Sequence, residues 1–157
     1  MERLPRANVQ RYPRPPALEA VQQKLTVFFG GAEVANTISG FRVLETHHAP
    51  TYYIPREDVR GRLLPTSGGS FCEWKGRASY FDVLAGEAVA KRAAWTYDAP
   101  TTSFQEIAGY VAFYAGLMEA CFVGAERVIP QPGDFYGGWV TSNLEGIPKG
   151  ARGTEHW

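Results

Sequence analysis

Glycine and proline interrupt this chain so often that long regular elements have little room. The sequence contains 17 glycines and 11 prolines among its 157 residues. Between them lie short runs of β-branched and aromatic residues, for example residues 25–29 and 110–114. Glycine and proline mark turns, and such runs favour strands. The sequence therefore predicts a mainly β domain of many short strands, with one or two short helices.

Proline content divides the chain into three parts. Prolines among residues 5–16 impose extended backbone and predict an N-terminal arm over residues 1–17. Strand patterns follow over residues 18–129, which we interpret as the β domain. Residues 130–157 are again rich in glycine and proline and are predicted to form an irregular C-terminal extension. A length of 157 residues fits one domain with such tails.

Local patterns predict individual elements of the β domain. The pair Gly30-Gly31 between two strand-like runs predicts a hairpin. Residues 87–97 are rich in alanine, but apolar residues alternate there, so we predict a strand. Residues 118–123 fit a strand or a helix. Thr101 and Ser103 are placed to cap a short helix that ends near Gly109.

The charge balance argues against polyelectrolyte partners. Sixteen Lys and Arg match sixteen Asp and Glu, so the net charge is 0. No electrostatic attraction to nucleic acid or to an anionic membrane is predicted. Neither a targeting segment nor an apolar run of about 18 residues is visible. We therefore expect a cytoplasmic protein.

Cysteine and motif content limit the chemistry. Cys72 and Cys121 are too few for a disulfide scaffold, and with three histidines they are a poor inventory for a closed zinc site. The sequence also lacks a P-loop, a dinucleotide-binding glycine motif, a nucleophile elbow and a His-Glu-x-x-His motif. We predict a metal-free protein without a cofactor.

An ordered set of short motifs resembles the family called domain of unknown function 427. The set spans roughly residues 12–122, and its order is more specific than any single piece. It comprises Tyr12-Pro13-Arg14-Pro15-Pro16, Arg42-Val43-Leu44-Glu45-Thr46-His47-His48-Ala49-Pro50, Tyr52-Tyr53-Ile54-Pro55, Cys72-Glu73-Trp74-Lys75-Gly76-Arg77-Ala78-Ser79-Tyr80, Ala94-Trp95-Thr96-Tyr97 and Gly109-Tyr110-Val111-Ala112-Phe113-Tyr114. The segment from Phe135 to Ser142 resembles an extension in a longer, cyanobacterial-type branch of this family.

The resemblance implies a small two-sheet β-tent fold, the class that includes methionine sulfoxide reductase B and the cereblon ligand domain. Those relatives often hold zinc with paired Cys-x-x-Cys motifs, which this chain lacks. The family is sometimes labelled as nucleotidyltransferase-like. Here Gly69-Ser70 stands without the Asp-x-Asp motif of polymerase-β-like nucleotidyltransferases. The resemblance therefore implies a fold and no established activity.

Two predicted strands carry the candidate catalytic residues Glu45, His47 and Cys72. On a strand over residues 41–47, Glu45 and His47 share one face. A carboxylate beside an imidazole raises its pKa and suits it to general-base catalysis. The alternative is a structural hydrogen-bonded pair at the end of the strand.

The second of these strands covers residues 71–75, after a loop at residues 65–70. Alternation places Cys72 and Trp74 on one face, and Glu73 and Lys75 on the other. A cation or histidine close to Cys72 would make its thiol a nucleophile, whereas most cysteines in apolar strands are inert.

Aromatic residues are dense around these motifs. As a group they are candidates for either core packing or the wall of a ligand pocket. The candidate ligand-binding residues are Tyr53, Trp74, Lys75, Tyr80 and Trp95. Arg42, Arg56 and Arg77 are further candidates for an anion-binding wall.

Three hypotheses follow for function. The first is a single-domain protein that binds a small molecule in a polar and aromatic pocket formed by Glu45, His47, Tyr53, Cys72, Trp74 and Lys75. The second is an enzyme that uses His47 or Cys72. The third is a non-catalytic interaction module whose arm and extension dock a partner or a second copy, which would give a homodimer. A concave site would favour the first two hypotheses, and a flat apolar surface the third.

Overall fold

The secondary structure is mainly β, as the sequence predicted. The computed structural model describes residues 4–72, 74–133, 136–146 and 148–151. Its strands are β1 (Ala7–Asn8), β2 (Ala17–Ala20), β3 (Leu25–Phe29), β4 (Ala32–Thr37), β5 (Phe41–Leu44), β6 (Thr51–Tyr53), β7 (Arg62–Cys72), β8 (Gly76–Ala85), β9 (Ala88–Thr96), β10 (Val111–Phe113), β11 (Ala120–Val123), β12 (Glu126–Arg127), β13 (Ile129–Pro130), β14 (Trp139–Val140) and β15 (Leu144–Glu145). The helices in this described part are 3-10 helices at Val9–Arg11, Arg56–Asp58, Thr102–Ile107 and Ala115–Leu117.

Most strands join one of two sheets. The short sheet has the order β12-β11-β3-β4. A second four-stranded sheet, β10-β9-β8-β7, is continued by the three strands β2-β5-β6. The link is an antiparallel bridge between Ile54 and Val111, with N–H···O distances of 2.8 Å in both directions. We call the combined array β2-β5-β6-β10-β9-β8-β7 the long sheet.

The two faces of the long sheet pack into two apolar clusters. Successive side chains of a strand point to opposite faces, so Tyr52 and Ile54 enter the larger cluster and Tyr53 the smaller one. The larger cluster also takes buried residues of the short sheet, namely Leu25, Val27, Val34, Ala35, Cys121 and Val123. The smaller cluster, which includes Tyr80 and Trp95, forms the floor of the cavity described below.

Several local predictions are confirmed. The hairpin β3–β4 turns at Gly30 and Gly31, whose φ angles of 63° and 73° need the conformational freedom of glycine. The alanine-rich segment forms β9, because pairing with β8 and β10 outweighs helix propensity. The undecided residues 118–123 contain β11.

The helix predicted after Thr101 is a 3-10 helix without the expected cap. It covers Thr102–Ile107. The Thr101 hydroxyl donates instead to the carbonyl oxygen of Trp74 at 2.6 Å. This contact ties the helix to the turn between β7 and β8.

Strand β7 corrects the prediction of a loop at residues 65–70. The strand runs through that segment, and its register against β8 shifts between Pro65 and Gly69. Pro65 and the bulge at Gly68, whose φ is 79°, are tolerated because β7 lies at the edge of the sheet and needs no second partner. The Thr66 hydroxyl closes the bulge by donating to the Tyr80 carbonyl at 3.1 Å.

The extension packs against the β domain through Trp139. This side chain is only 1% exposed, and its indole N–H donates to the Phe113 carbonyl at 3.0 Å. Its backbone N–H donates to the Pro50 carbonyl at 2.9 Å. At the other end, β15 pairs in parallel with β1 of the arm. No helix of the described residues is long and apolar enough to cross a membrane.

Replacing Trp139 tests this anchoring. We expect Trp139→Ala to lower the free energy of unfolding by about 3–5 kcal/mol, because it leaves a large cavity in the core. Trp139→Phe keeps most of the burial but leaves the Phe113 carbonyl unpaired, so we expect a loss of about 1–3 kcal/mol. Urea unfolding followed by circular dichroism measures both. Two variants as stable as the wild type would show that the extension is not anchored there.

Candidate functional site

A cavity of about 220 Å³ opens on the face of the long sheet that carries the smaller apolar cluster. It lies where the end of β5, the β7–β8 turn and the extension meet. Two other depressions are larger, at about 370 and 490 Å³. This one is distinguished by its chemistry, because Glu45, His48, Cys72, Lys75 and Lys149 all line it.

A turn, and not a strand, carries the acidic end of this site. Strand β5 ends at Leu44, His47 has a φ of 67°, and the His48 N–H donates to the Glu45 carbonyl at 3.0 Å. The turn brings Nε2 of His48 to 3.4 Å from Oε2 of Glu45. The alternation that predicted a shared face for Glu45 and His47 therefore ends before both residues.

His47 has a different place from the one expected. It does not line the cavity. Its backbone N–H donates to the Val9 carbonyl at 2.9 Å, and its carbonyl accepts the Lys149 N–H at 2.5 Å. These contacts join the turn to the arm and to the extension.

The buried amide of Gln131 determines which nitrogen of His48 carries the proton. Oε1 of Gln131 accepts the Ala49 N–H at 3.1 Å, and Nε2 donates to the Lys149 carbonyl at 2.8 Å. Nε2 also lies 3.2 Å from Nδ1 of His48. Because this amide nitrogen is a donor, Nδ1 must accept. The network thus assigns the proton to Nε2, the nitrogen that faces Glu45.

His48 is a neutral imidazole at pH 7. Burial, together with the positive charges of Lys149 and Lys75, lowers its pKa from 6.5 to about 4. The contact with Glu45 is therefore an N–H donor facing a carboxylate and not a pair of full charges. Both ring nitrogens are engaged, so the ring is poorly placed to act as a general base.

The turn between β7 and β8 brings Lys75 into the cavity. Cys72 pairs with Gly76, whose φ of 109° suits glycine, so the chain reverses between these two residues. Strand alternation therefore stops at Cys72. As a result Cys72 and Lys75, which were predicted on opposite faces, line the same cavity. Glu73 lies outside the described residues.

Lys75 is an unusually buried cation. Its side chain is 9% exposed, and Nζ lies 5.5 Å from the centroid of the Tyr97 ring. Its carbonyl accepts the Thr101 N–H at 2.9 Å, which holds the turn in place. Across the part of the chain that the structure describes, no carboxylate lies within 4.0 Å of its ammonium group.

The other predicted cations take no part in the cavity. Arg42 pairs with Glu19 at 2.5 Å, in a separate depression beneath the arm. The guanidinium of Arg56 lies 5.9 Å from the Phe81 ring centroid. Arg77 is exposed.

Aromatic rings form much of the remaining wall. Tyr80 and Trp95 line the cavity, together with Tyr97 and Tyr114, which the sequence analysis had not selected. The Tyr80 hydroxyl lies 2.8 Å from the Ser70 hydroxyl. Burial raises the pKa of Tyr97 and Tyr114, so both phenols stay neutral at pH 7.

Tyr53 and Trp74 do not line the cavity. Tyr53 is fully buried, with its ring centroid 6.4 Å from that of Tyr97. Trp74 is partly buried against the smaller apolar cluster. Both residues were predicted to form the pocket wall, but they lie in or against the cluster that forms the floor, and other aromatic rings form the wall.

The extension closes one side of the cavity. Tyr136, Gly137 and Lys149 line it, and the Tyr136 ring packs edge-on against His48 at 5.3 Å between centroids. Gly137 lies so close to Trp95 that a Cβ atom would overlap the indole ring. The sequence pattern carried no signal for Lys149, because its position depends on long-range packing.

No group of three or more His, Cys, Asp or Glu side chains that could hold a metal ion occurs among the described residues. The statement applies to residues 4–72, 74–133, 136–146 and 148–151. The absence of a resident metal stays a prediction.

The fold and the cavity define a mainly β domain with a site rich in cations and aromatic rings. The family model described as Domain of unknown function (DUF427), labelled NTP_transf_9, matches residues 17–124. The chain belongs to this family. A search of curated proteins returns no match. The matched region ends before Gln131, Tyr136, Gly137 and Lys149, so the extension adds to the site from outside it.

The pKa of His48 predicts acid sensitivity. Between pH 6.5 and 4 the unfolded chain binds a proton that the folded chain excludes, so stability falls as the pH falls through this window. The difference between the ordinary histidine pKa of 6.5 and the value of about 4 in the folded chain corresponds to about 3 kcal/mol in the free energy of unfolding. We expect His48→Gln to remove this part of the pH dependence in urea unfolding at pH 7 and pH 4.

The matched control for this prediction is His47→Asn, because asparagine tolerates the positive φ of His47. The control should keep the pH dependence of the wild type. An unchanged slope in His48→Gln would mean that another group causes the acid sensitivity.

Gly137→Ala tests how closely the extension approaches Trp95. The added methyl group overlaps the indole ring, so segment 136–138 must shift away from the cavity. We expect a changed tryptophan emission spectrum and a lower melting temperature. Gly116→Ala is the control, because its Cβ would make an ordinary 3.6 Å contact with Pro130. Equal emission spectra and melting temperatures of the two variants would contradict the close approach of Gly137 to Trp95.

Proposed function

We propose that this protein binds a small organic anion built around a single flat ring, and that the cavity is the binding site. The observation that carries the proposal is the burial of Lys75 at the cavity wall without a carboxylate partner among the described residues. A buried ammonium group costs several kcal/mol unless an anion accompanies it. A bound ligand would supply that anion.

The charges around the cavity support an anionic ligand. Lys75 and Lys149 contribute two positive charges, and Glu45 contributes one negative charge. His48 adds none, because it is neutral at pH 7. Among the described lining residues the net charge is therefore about +1, which favours a monoanion.

The size and walls of the cavity support a ligand with one ring. The cavity has a volume of about 220 Å³. Pockets for drug-sized ligands are larger, roughly 300–1,000 Å³. Tyr80, Trp95 and Tyr114 offer ring faces and edges against which a flat ligand can pack.

Binding is favoured over turnover by the state of His48. Its Nδ1 accepts from Gln131 and its Nε2 faces Glu45, so neither nitrogen is free to take a proton from a substrate. Cys72 lines the cavity, which keeps a thiol within reach of a ligand. The geometry supports a role for this residue in contacting the ligand.

Replacing Lys75 tests the proposal. With benzoate as the probe in isothermal titration calorimetry, we expect Lys75→Met to raise Kd by about 10-fold or more, since a hydrogen bond to a charged group contributes roughly 1.5–3 kcal/mol. Lys24→Met changes the net charge equally at an exposed site and should leave Kd within about twofold of the wild type. Absence of benzoate binding to the wild type, or an unchanged Kd in Lys75→Met, would overturn the proposal.

A further inference from the structure

We infer that the ligand carries a hydroxyl or amino group that donates a hydrogen bond to Glu45, and that Gln131 is the positioning residue that keeps Glu45 an acceptor. The inference rests on the proposed function, because it specifies the ligand of the same cavity. It narrows the ligand class from single-ring organic anions to single-ring organic anions that carry a hydroxyl or amino group.

The first step is the orientation of the Gln131 amide. Gln131 is 2% exposed, and its carbonyl oxygen is occupied by the Ala49 N–H. Its amide nitrogen donates to the Lys149 carbonyl. Rotating the amide by 180° would set two carbonyl oxygens against each other and two N–H donors against each other. The orientation with Nε2 towards His48 is therefore the one that satisfies every group.

The second step is the state of Glu45. The Gln131 donor makes Nδ1 of His48 an acceptor, so the ring presents its Nε2–H to Oε2 of Glu45. The N–H dipole at this place attracts Oε2 and restricts the rotation of the carboxylate. A carboxylate offers about four lone-pair positions, and at 3.4 Å the His48 N–H makes an electrostatic contact with Oε2 and not a hydrogen bond. Glu45 lines the cavity and is able to accept hydrogen bonds there.

The third step is the separation of charges inside the cavity. Neither Lys75 nor Lys149 lies within 4.0 Å of the Glu45 carboxylate in the described structure. The ligand's own carboxylate is attracted to the ammonium groups and repelled by Glu45. A ligand that reaches Glu45 therefore presents a donor to it, since a second acceptor would leave both groups unpaired.

The preference for ligands with a hydrogen-bond donor arises from the extension. Gln131, Tyr136 and Lys149 lie beyond the matched residues 17–124, yet they orient His48 and complete the wall. The extension is thus the part of the chain that makes the cavity discriminate among anions.

Calorimetry with matched ligands tests the inference. The probes are 3- and 4-hydroxybenzoate and 3- and 4-aminobenzoate, each compared with the methylbenzoate of the same substitution pattern. For at least one position, the wild type should bind the donor-bearing ligand about tenfold more tightly than its methyl analogue, as expected for a hydrogen bond to a charged acceptor. Equal affinities for donor and methyl ligands at both positions would overturn the inference.

Glu45→Gln supplies the decisive variant. The His48 N–H would hold the amide oxygen of the new side chain, so its NH₂ group would face the ligand and replace an acceptor by a donor. We expect the preference for donor-bearing ligands over their methyl analogues to fall to within about twofold, while methylbenzoate itself binds more tightly than to the wild type because the repulsion from Glu45 is lost. A preference that survives in Glu45→Gln would contradict the role of Glu45.

The positioning role of Gln131 has a readout that does not depend on binding. Nitrogen-15 NMR of the imidazole should show His48 as the Nε2–H tautomer in the wild type, and His48→Gln identifies its signals. A Nδ1–H tautomer would overturn this role. Gln131→Met should reduce the ratio of the affinities for donor-bearing and methyl ligands. If Gln131→Met does not fold, the tautomer of the wild type decides alone.

The outcomes separate the two proposals. If benzoate binds and depends on Lys75 while the hydroxy and amino ligands gain nothing, the inference fails and the proposed function stands. If no ring carboxylate binds, the proposed function fails and the inference falls with it.

Discussion

The hydrogen bonds of the Gln131 amide are the contact on which the architecture of the cavity depends. One buried side chain joins the extension to the turn at residues 45–48, through Ala49, His48 and the Lys149 carbonyl. Without it, the backbone bonds between Lys149 and His47 and between Trp139 and Pro50 would hold the extension. Those bonds fix the backbone, but they leave the His48 ring without a defined tautomer. The Gln131 amide therefore does two things: it joins the extension to the turn, and it determines which nitrogen of His48 carries the proton.

Burial of charge is the second constraint on this site. Lys75 lies in an aromatic environment that weakens water's solvation of an ammonium group, and the same environment strengthens its attraction for an anion. The neutral state of His48 follows from the same burial and from the two lysines. Cations and rings therefore act together, because the rings exclude the water that would otherwise screen the cations. This arrangement is the basis of the proposal that the cavity binds a small anion.

Whether a prediction agreed with the structure depended on whether the interactions behind it act locally or between distant parts of the chain. The hairpin at Gly30-Gly31 and the strand over residues 88–96 were predictable, because turn residues and alternation act locally. Glu45, Cys72, Lys75, Tyr80 and Trp95 were selected from the sequence, and they line one cavity. The reasoning failed where strands end. Alternation cannot be extended through the turn at residues 45–48 or through the turn between β7 and β8, so His48 was passed over in favour of His47. Glycine at residues 68–69 was interpreted as a loop, although an edge strand tolerates it as a bulge.

The sequence by itself determined the class of fold, the family and the set of polar and aromatic residues near the strand ends from which a site could form. It did so because strand periodicity, turn chemistry and short motifs are local properties of the chain. Only the tertiary structure decided which histidine meets Glu45, that Lys75 turns inward beside Cys72, and that Gln131 and Lys149 of the extension complete the site. The contact between Gln131 and His48 alone joins residues that are 83 positions apart in the chain. Their geometry depends on how the extension and the turns pack on the long sheet, and no local pattern encodes that packing.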